Sequence, residues 1–107
     1  MNKIPIFIAT YNRYQVTERS LRSLGNSQLP DYIEVIVNDD GSNPYDLSVT
    51  ESICNEYGWT LNKFNHLGIS RGTIERVYPI VRDMNIPYFF ITDSGDCFCG
   101  VKGHGIA

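Results

Sequence analysis

Short apolar runs alternate with amphipathic stretches along this chain. Ile4 to Ala9 is an apolar run rich in β-formers, closed by the polar Thr10-Tyr11-Asn12-Arg13, and it predicts a first strand. Val16, Leu21 and Leu24 then recur at near-helical spacing until Gly25-Asn26, a helix stop. Ile33 to Val37 predicts a second strand, ending in the turn-rich cluster Asn38-Asp39-Asp40-Gly41-Ser42. Asp46 is expected to cap a second helix whose apolar face carries Val49, Ile53 and Tyr57, with Gly58 ending it. Trp59 to Phe64 predicts a third strand, and Ser70 is expected to cap a third helix striped by Ile74, Val77, Tyr78 and Val81. Pro79 conflicts with that helix, because an interior proline removes one hydrogen bond and costs about 3 kcal/mol. A kink or break is therefore expected near Val77 to Tyr78. Pro87 to Ile91 predicts a fourth, fully buried strand, followed by Thr92-Asp93-Ser94-Gly95-Asp96.

The order β-α-β-α-β-α-β implies an α/β fold: an open, mainly parallel sheet with helices on both faces, joined by right-handed crossovers. The polar clusters all follow strands. In such a sheet they lie along one edge, where ligands bind at the carboxyl ends of the strands. Four carboxylates (Asp39, Asp40, Asp93 and Asp96) are thus expected at one crevice.

Composition narrows the class. A chain of 107 residues holds one domain at most. Its formal charge of −3 gives no basic footprint for nucleic acid. No run approaches the roughly 18 apolar residues of a membrane span, and the N-terminus has no apolar h-region. The three cysteines, Cys54, Cys97 and Cys99, are odd in number and unevenly spread. They argue against a disulfide framework and for a reducing, cytoplasmic compartment.

Two clusters carry candidate chemistry. The carboxylates of Asp39-Asp40 suit base N–H groups or ribose hydroxyls, with Gly41 permitting a tight turn. Taken alone, the cluster is more simply read as turn chemistry leading into a helix, which explains every residue in it. Asp93 and Asp96 suit a hard divalent cation, Mg²⁺ or Mn²⁺, that bridges protein carboxylates to substrate phosphates. Arg71, at the expected start of the third helix, suits a diphosphate, although a lone arginine is more often a solvated surface group. Cys97, Cys99 and His104 give three ligands without standard spacing, so no zinc site is expected. His66 reads as a loop residue rather than a catalytic base.

Four segments, in order, resemble family 2 glycosyltransferases of the GT-A type. Ile6-Phe7-Ile8-Ala9-Thr10-Tyr11-Asn12-Arg13 resembles their opening strand and P-T-Y-N-R turn. Val37-Asn38-Asp39-Asp40-Gly41-Ser42 resembles V-D-D-G-S. Asn65 to Gly72 loosely resembles N-x-G-x-x-x-A-R-N-x-G, and Phe90-Ile91-Thr92-Asp93-Ser94 resembles the strand that delivers their D-x-D metal motif. The resemblance implies a nucleotide-diphosphate-sugar-binding domain over residues 1–96. It places Thr10, Tyr11 and Arg13 in the nucleotide pocket and Asp39 or Asp40 on the base or ribose. Arg71 falls near the diphosphate, Asp93 on ribose and metal, and a second carboxylate, Asp96, on the Mn²⁺ or Mg²⁺.

Three departures stand beside it. Ala9 replaces the usual proline, and Gly72 stands where asparagine follows the arginine. Gly95 occupies the second acid's place with Asp96 one position late, so Gly95 is either an insertion or a replacement. Residues 97–107 form a glycine-rich tail expected to be irregular. The resembling enzymes continue into an acceptor-binding half that supplies the catalytic base of inverting members. The expectation is therefore a truncated donor-binding part serving an unknown acceptor, with an unpaired sheet edge that favours self-association. Two other classes compete: a nucleotide-binding module without transfer, and a non-enzymatic parallel α/β interaction domain.

Overall fold

The computed structural model describes residues 3–68, 71, 73–84 and 90–93. Four strands form one parallel sheet: β1 (Ile4–Thr10), β2 (Ile33–Asp39), β3 (Thr60–Lys63) and β4 (Phe90–Asp93), in the order β3-β2-β1-β4. Helix α1 (Tyr14–Gly25) joins β1 to β2, and α2 (Pro44–Tyr57) joins β2 to β3. A π-helical turn (Thr73–Val77) runs directly into α3 (Tyr78–Met84) before β4.

The strand order dictates which face each helix covers. The first two crossovers step the same way across the sheet, so right-handed connections put α1 and α2 on one face. The third crossover returns past β2 and β1 to reach β4, so its helix lies on the other. The two cores record this split. Ile6, Ile8, Val35 and Val37 pack with Leu21 and Leu24 of α1 and with Ile53 and Cys54 of α2. Phe7 and Ile36, the alternate strand positions, pack with Val77, Ile80 and Val81. Helices thus cover both faces, as the alternation predicts. Burial, and secondarily the charge of Glu51, pushes the Cys54 thiol up to about 11, so it packs as a small neutral hydrophobe.

Local chemistry explains the ends of the elements. Pro5 sits in a central strand without an amide to donate. Ile4 donates to the Tyr32 carbonyl on the β2 side, which turns Pro5 toward the β4 side, where pairing starts only at Ile6↔Phe90. β2 runs two residues further than its apolar core, through Asn38 and Asp39, in register with Ala9 and Thr10. The side-chain amide of Asn62 on β3 satisfies Asn38.

One helix start differs from expectation. Asp46 does not cap α2. Asn43 does, accepting from the Asp46 N–H at 3.0 Å, with Pro44 at the first helical turn where its missing N–H costs nothing. Asp46, three residues in, turns its carboxylate across to the Tyr14 N–H at the start of α1, 3.0 Å away. Ser70 lies outside the described residues, as do Pro87 to Phe89 of the expected fourth strand. Pro79 does break the helix where expected. The π-helical turn ends at Val77 and a fresh helix begins at Tyr78, which puts the proline in a first turn, where it is tolerated. No helix among the described residues is long and apolar enough to cross a membrane.

Candidate functional site at the carboxyl edge of the sheet

The crossover from β1 runs to β2 on one side of it, whereas the crossover from β3 returns past β1 to β4 on the other, which puts a topological switch point at the carboxyl ends of β1 and β4. Thr10 ends β1 there, Asp39 ends β2, and Asp93 ends β4 directly beside Ala9. The small residue at position 9 is therefore the in-register neighbour of Asp93.

Asp39 is 1% exposed and ties the strand ends together. Its Oδ1 accepts from the Thr10 hydroxyl at 2.8 Å and the Ser42 hydroxyl at 2.6 Å. Its Oδ2 accepts from the Ser42 N–H at 2.9 Å. The neighbouring mesh extends to the β1–α1 turn. The Asn12 N–H donates to Ser42 Oγ, and Asn12 Oδ1 accepts from the Asn43 N–H, both at 2.8 Å. These bonds hold Asn12 and Arg13 in consecutive left-handed conformations, φ 49° and 53°, which cost energy for residues bearing a Cβ. The same turn leaves Arg13 exposed at the carboxyl edge.

Asp40 is 3% exposed and binds a different part of the chain. Oδ1 accepts from the Leu67 N–H at 2.9 Å and from Arg76 Nη1 at 2.6 Å. Oδ2 accepts from the Gly68 N–H at 3.0 Å and lies 2.8 Å from His66 Nδ1. Burial pushes this carboxyl up. The Leu67 amide, the Arg76 guanidinium and the Gly68 amide together outweigh it, and Asp40 rests below its ordinary value. Arg76 is itself buried, donates to the Asn65 carbonyl, and lies 4.3 Å over the Phe64 ring. Gly41 makes the approach of this loop feasible. Its φ is +82°, and a Cβ there would come within 2.7 Å of the His66 backbone nitrogen.

Tyr11 and His66 lie over Asp40. Their rings stack with centroids 4.2 Å apart and planes 24° apart. Tyr11 is 38% exposed and the His66 side chain 54%.

The structure thus brings Thr10, Tyr11, Asp39 and Asp40 together, with Asp93 at the neighbouring strand end. Arg71 is exposed and pairs with Glu75 at 3.1 Å. Asp96 and the tail from Cys97 onward lie outside the described residues. Among the described residues, no group of three or more His, Cys, Asp or Glu is arranged to hold a metal. Arg76 is the arginine at the candidate site that sequence patterns miss. It adjoins Val77 of the apolar stripe, but the wide π-helical turn sets its direction, and a regular helical period does not foresee that.

The parallel sheet with helices on both faces matches the N-terminal part of the GT-A glycosyltransferase fold. The sequence pattern of glycosyl transferase family 2 matches residues 6–74, more than half of the chain, and the chain belongs to that family. No curated protein sequence matches it individually. Among solved structures, it is similar to the mannosyltransferase PcManGT from Pyrobaculum calidifontis in complex with GDP-Man and Mn²⁺, with a TM-score of 0.66 and 21% identity. It is also similar to S. aureus TarS 1-349, with a TM-score of 0.65 and 22% identity, and to TarS 1-349 in complex with UDP, with 0.60 and 23%. Each match covers 89% of this chain and 28% of the larger one.

Proposed function

We propose that this chain is the donor-binding part of a glycosyltransferase, recognising a nucleotide-diphosphate sugar whose glycosyl group passes to an acceptor. The observation that carries this reading is the convergence of Thr10, Tyr11, Asp39 and Asp40 beside the β1–β4 crevice, with Asp93 closing β4 in register with Ala9. Family membership supports it, as do the GDP-Man and UDP in the names of the similar structures.

Tyr11 offers an exposed aromatic face to a base, and Thr10 and Arg13 flank it. A carboxylate has about four acceptor positions. Asp39 uses three among the described residues, leaving one on Oδ2 for a ribose hydroxyl or base N–H. Asp40 uses all four, so it meets a ligand only by exchanging a partner. Arg71 is assigned to the diphosphate, because its exposed side chain gives up only a solvent-screened pair with Glu75. Asp93 is assigned to the ribose and, with Asp96, to Mn²⁺ or Mg²⁺. Such an ion offsets the diphosphate charge that builds as the sugar leaves. The cysteine pattern supports a cytoplasmic setting.

The test is calorimetric titration of the chain with UDP, GDP and their sugars, with and without Mn²⁺. Binding of at least one, strengthened by Mn²⁺, is expected, and no binding to any of them overturns the assignment. Asp93→Ala is expected to abolish the Mn²⁺ effect. A retained effect puts the metal elsewhere.

A further inference from the structure

His66 stands in an unusual place for a loop histidine. Its imidazole is a flat aromatic ring lying parallel to the Tyr11 ring, 4.2 Å away. Its Nδ1 lies 2.8 Å from Asp40 Oδ2 and 3.2 Å from the Asp40 carbonyl oxygen. Both neighbours are acceptors, which assigns the ring proton to Nδ1. The ring therefore stacks on an aromatic face while donating an N–H to a buried carboxylate. A nucleobase entering beside Tyr11 and Asp40 would present the same two features: a π-face and an N–H on its edge.

We infer that His66 is a self-ligand that occupies the nucleobase position beside Tyr11 and Asp40 and must swing out before a nucleotide binds. This rests on the donor-pocket assignment of Tyr11 and Asp40 above. The partners of Asp40 favour His66 as the group that leaves. Arg76 is buried, and the Leu67 and Gly68 amides are fixed in the backbone. His66 is more than half exposed and has open solvent to turn into. Its departure frees one acceptor position on Oδ2 and one face of Tyr11 together, and leaves the three other bonds to Asp40 in place. The closed state also explains why a buried carboxylate poised for a ligand is fully satisfied without one. Occupancy by His66 lowers the fraction of competent molecules and so weakens the apparent affinity in proportion.

The experiment compares the full chain with its His66→Ala variant, titrated with UDP and with GDP by calorimetry. Histidine ring resonances are followed by NMR in the same samples. One net hydrogen bond and a stack removed from the competing state predict binding about threefold to tenfold tighter in the variant. In the unaltered chain, the His66 ring protons are expected to carry an upfield ring-current shift from Tyr11 and to lose it on nucleotide addition. Equal or weaker binding by His66→Ala, or His66 resonances unmoved by a bound nucleotide, overturns the self-ligand while leaving the pocket assignment standing. Failure of both proteins to bind either nucleotide overturns the pocket assignment. In that case an unshifted His66 ring in the free chain independently rules out the contact.

Discussion

The two faces of the sheet are held by different physics. On the α1–α2 face, eight buried residues from four elements form a continuous apolar layer. On the opposite face, among the described residues, the buried apolar cluster is Phe7, Ile36 and Val77, backed by the half-buried Ile80 and Val81. What seats the π-helical turn there is polar as well: the Asp40–Arg76 pair, with both side chains less than a tenth exposed. The third crossover is thus fastened by groups that belong to the candidate site. Conformational change at Asp40 is therefore coupled to the seating of the third crossover.

The sharpest way to break that contrast is Arg76→Ala. It strands a buried carboxylate and is expected to cost about 3–5 kcal/mol in urea unfolding. The double variant Asp40→Asn with Arg76→Met is expected to recover much of the loss, because no charge is then left unpaired. A cost under about 1 kcal/mol for Arg76→Ala would mean that apolar contact alone seats the turn. Next, Leu21→Ala removes a fully buried side chain from the other face and is expected to cost about 2–5 kcal/mol. The His66 and Tyr11 resonances should stay in place; their movement would show that the apolar core also shapes the candidate site.

Gly41→Ala comes third. The left-handed backbone alone costs a residue with a Cβ about 1–2 kcal/mol, and the His66 backbone must also give way. The smallest expected effect is on acid stability. The Asp40 carboxyl titrates lower in the folded chain than in the unfolded one, so its contribution is complete above the ordinary carboxylate value of about 4. That contribution is lost as pH falls through the lower folded value. The acid limb of a stability–pH curve should flatten in the Asp40→Asn, Arg76→Met double variant, and an unchanged limb would assign it to other carboxylates.

Much of this organisation was legible in the sequence because it follows from periodicity. The apolar runs from Ile4 and Ile33, the stripe of Val16, Leu21 and Leu24, and the conflict at Pro79 all correspond to observed elements or breaks. The carboxyl-edge clustering follows from the parallel topology, so the meeting of Thr10 with Asp39 was foreseeable as proximity. The division of labour between the two aspartates was not. Asp39 closes on donors within its own turn and the adjacent strand, while Asp40 reaches a loop and a π-helical turn some thirty residues onward. Neither the length of that loop nor the extra residue of a π-helical turn leaves a periodic trace. Asp46 shows the same limit on a smaller scale. Asn43-Pro44 is a recognisable helix start, but the partner of Asp46 lies on another helix.

The strand order has a consequence in time as well as in space. β1 leaves the ribosome first, and β2 soon follows to cover one of its edges. Its other neighbour, which begins at Phe90 opposite Ile6, emerges last of the four. At about 5–20 residues per second that interval is roughly 4 to 17 s. For that time the most apolar strand of the sheet has one flank open to any passing strand. The nascent chain is then most vulnerable to mispairing, and a chaperone that shields extended segments would have its longest opportunity.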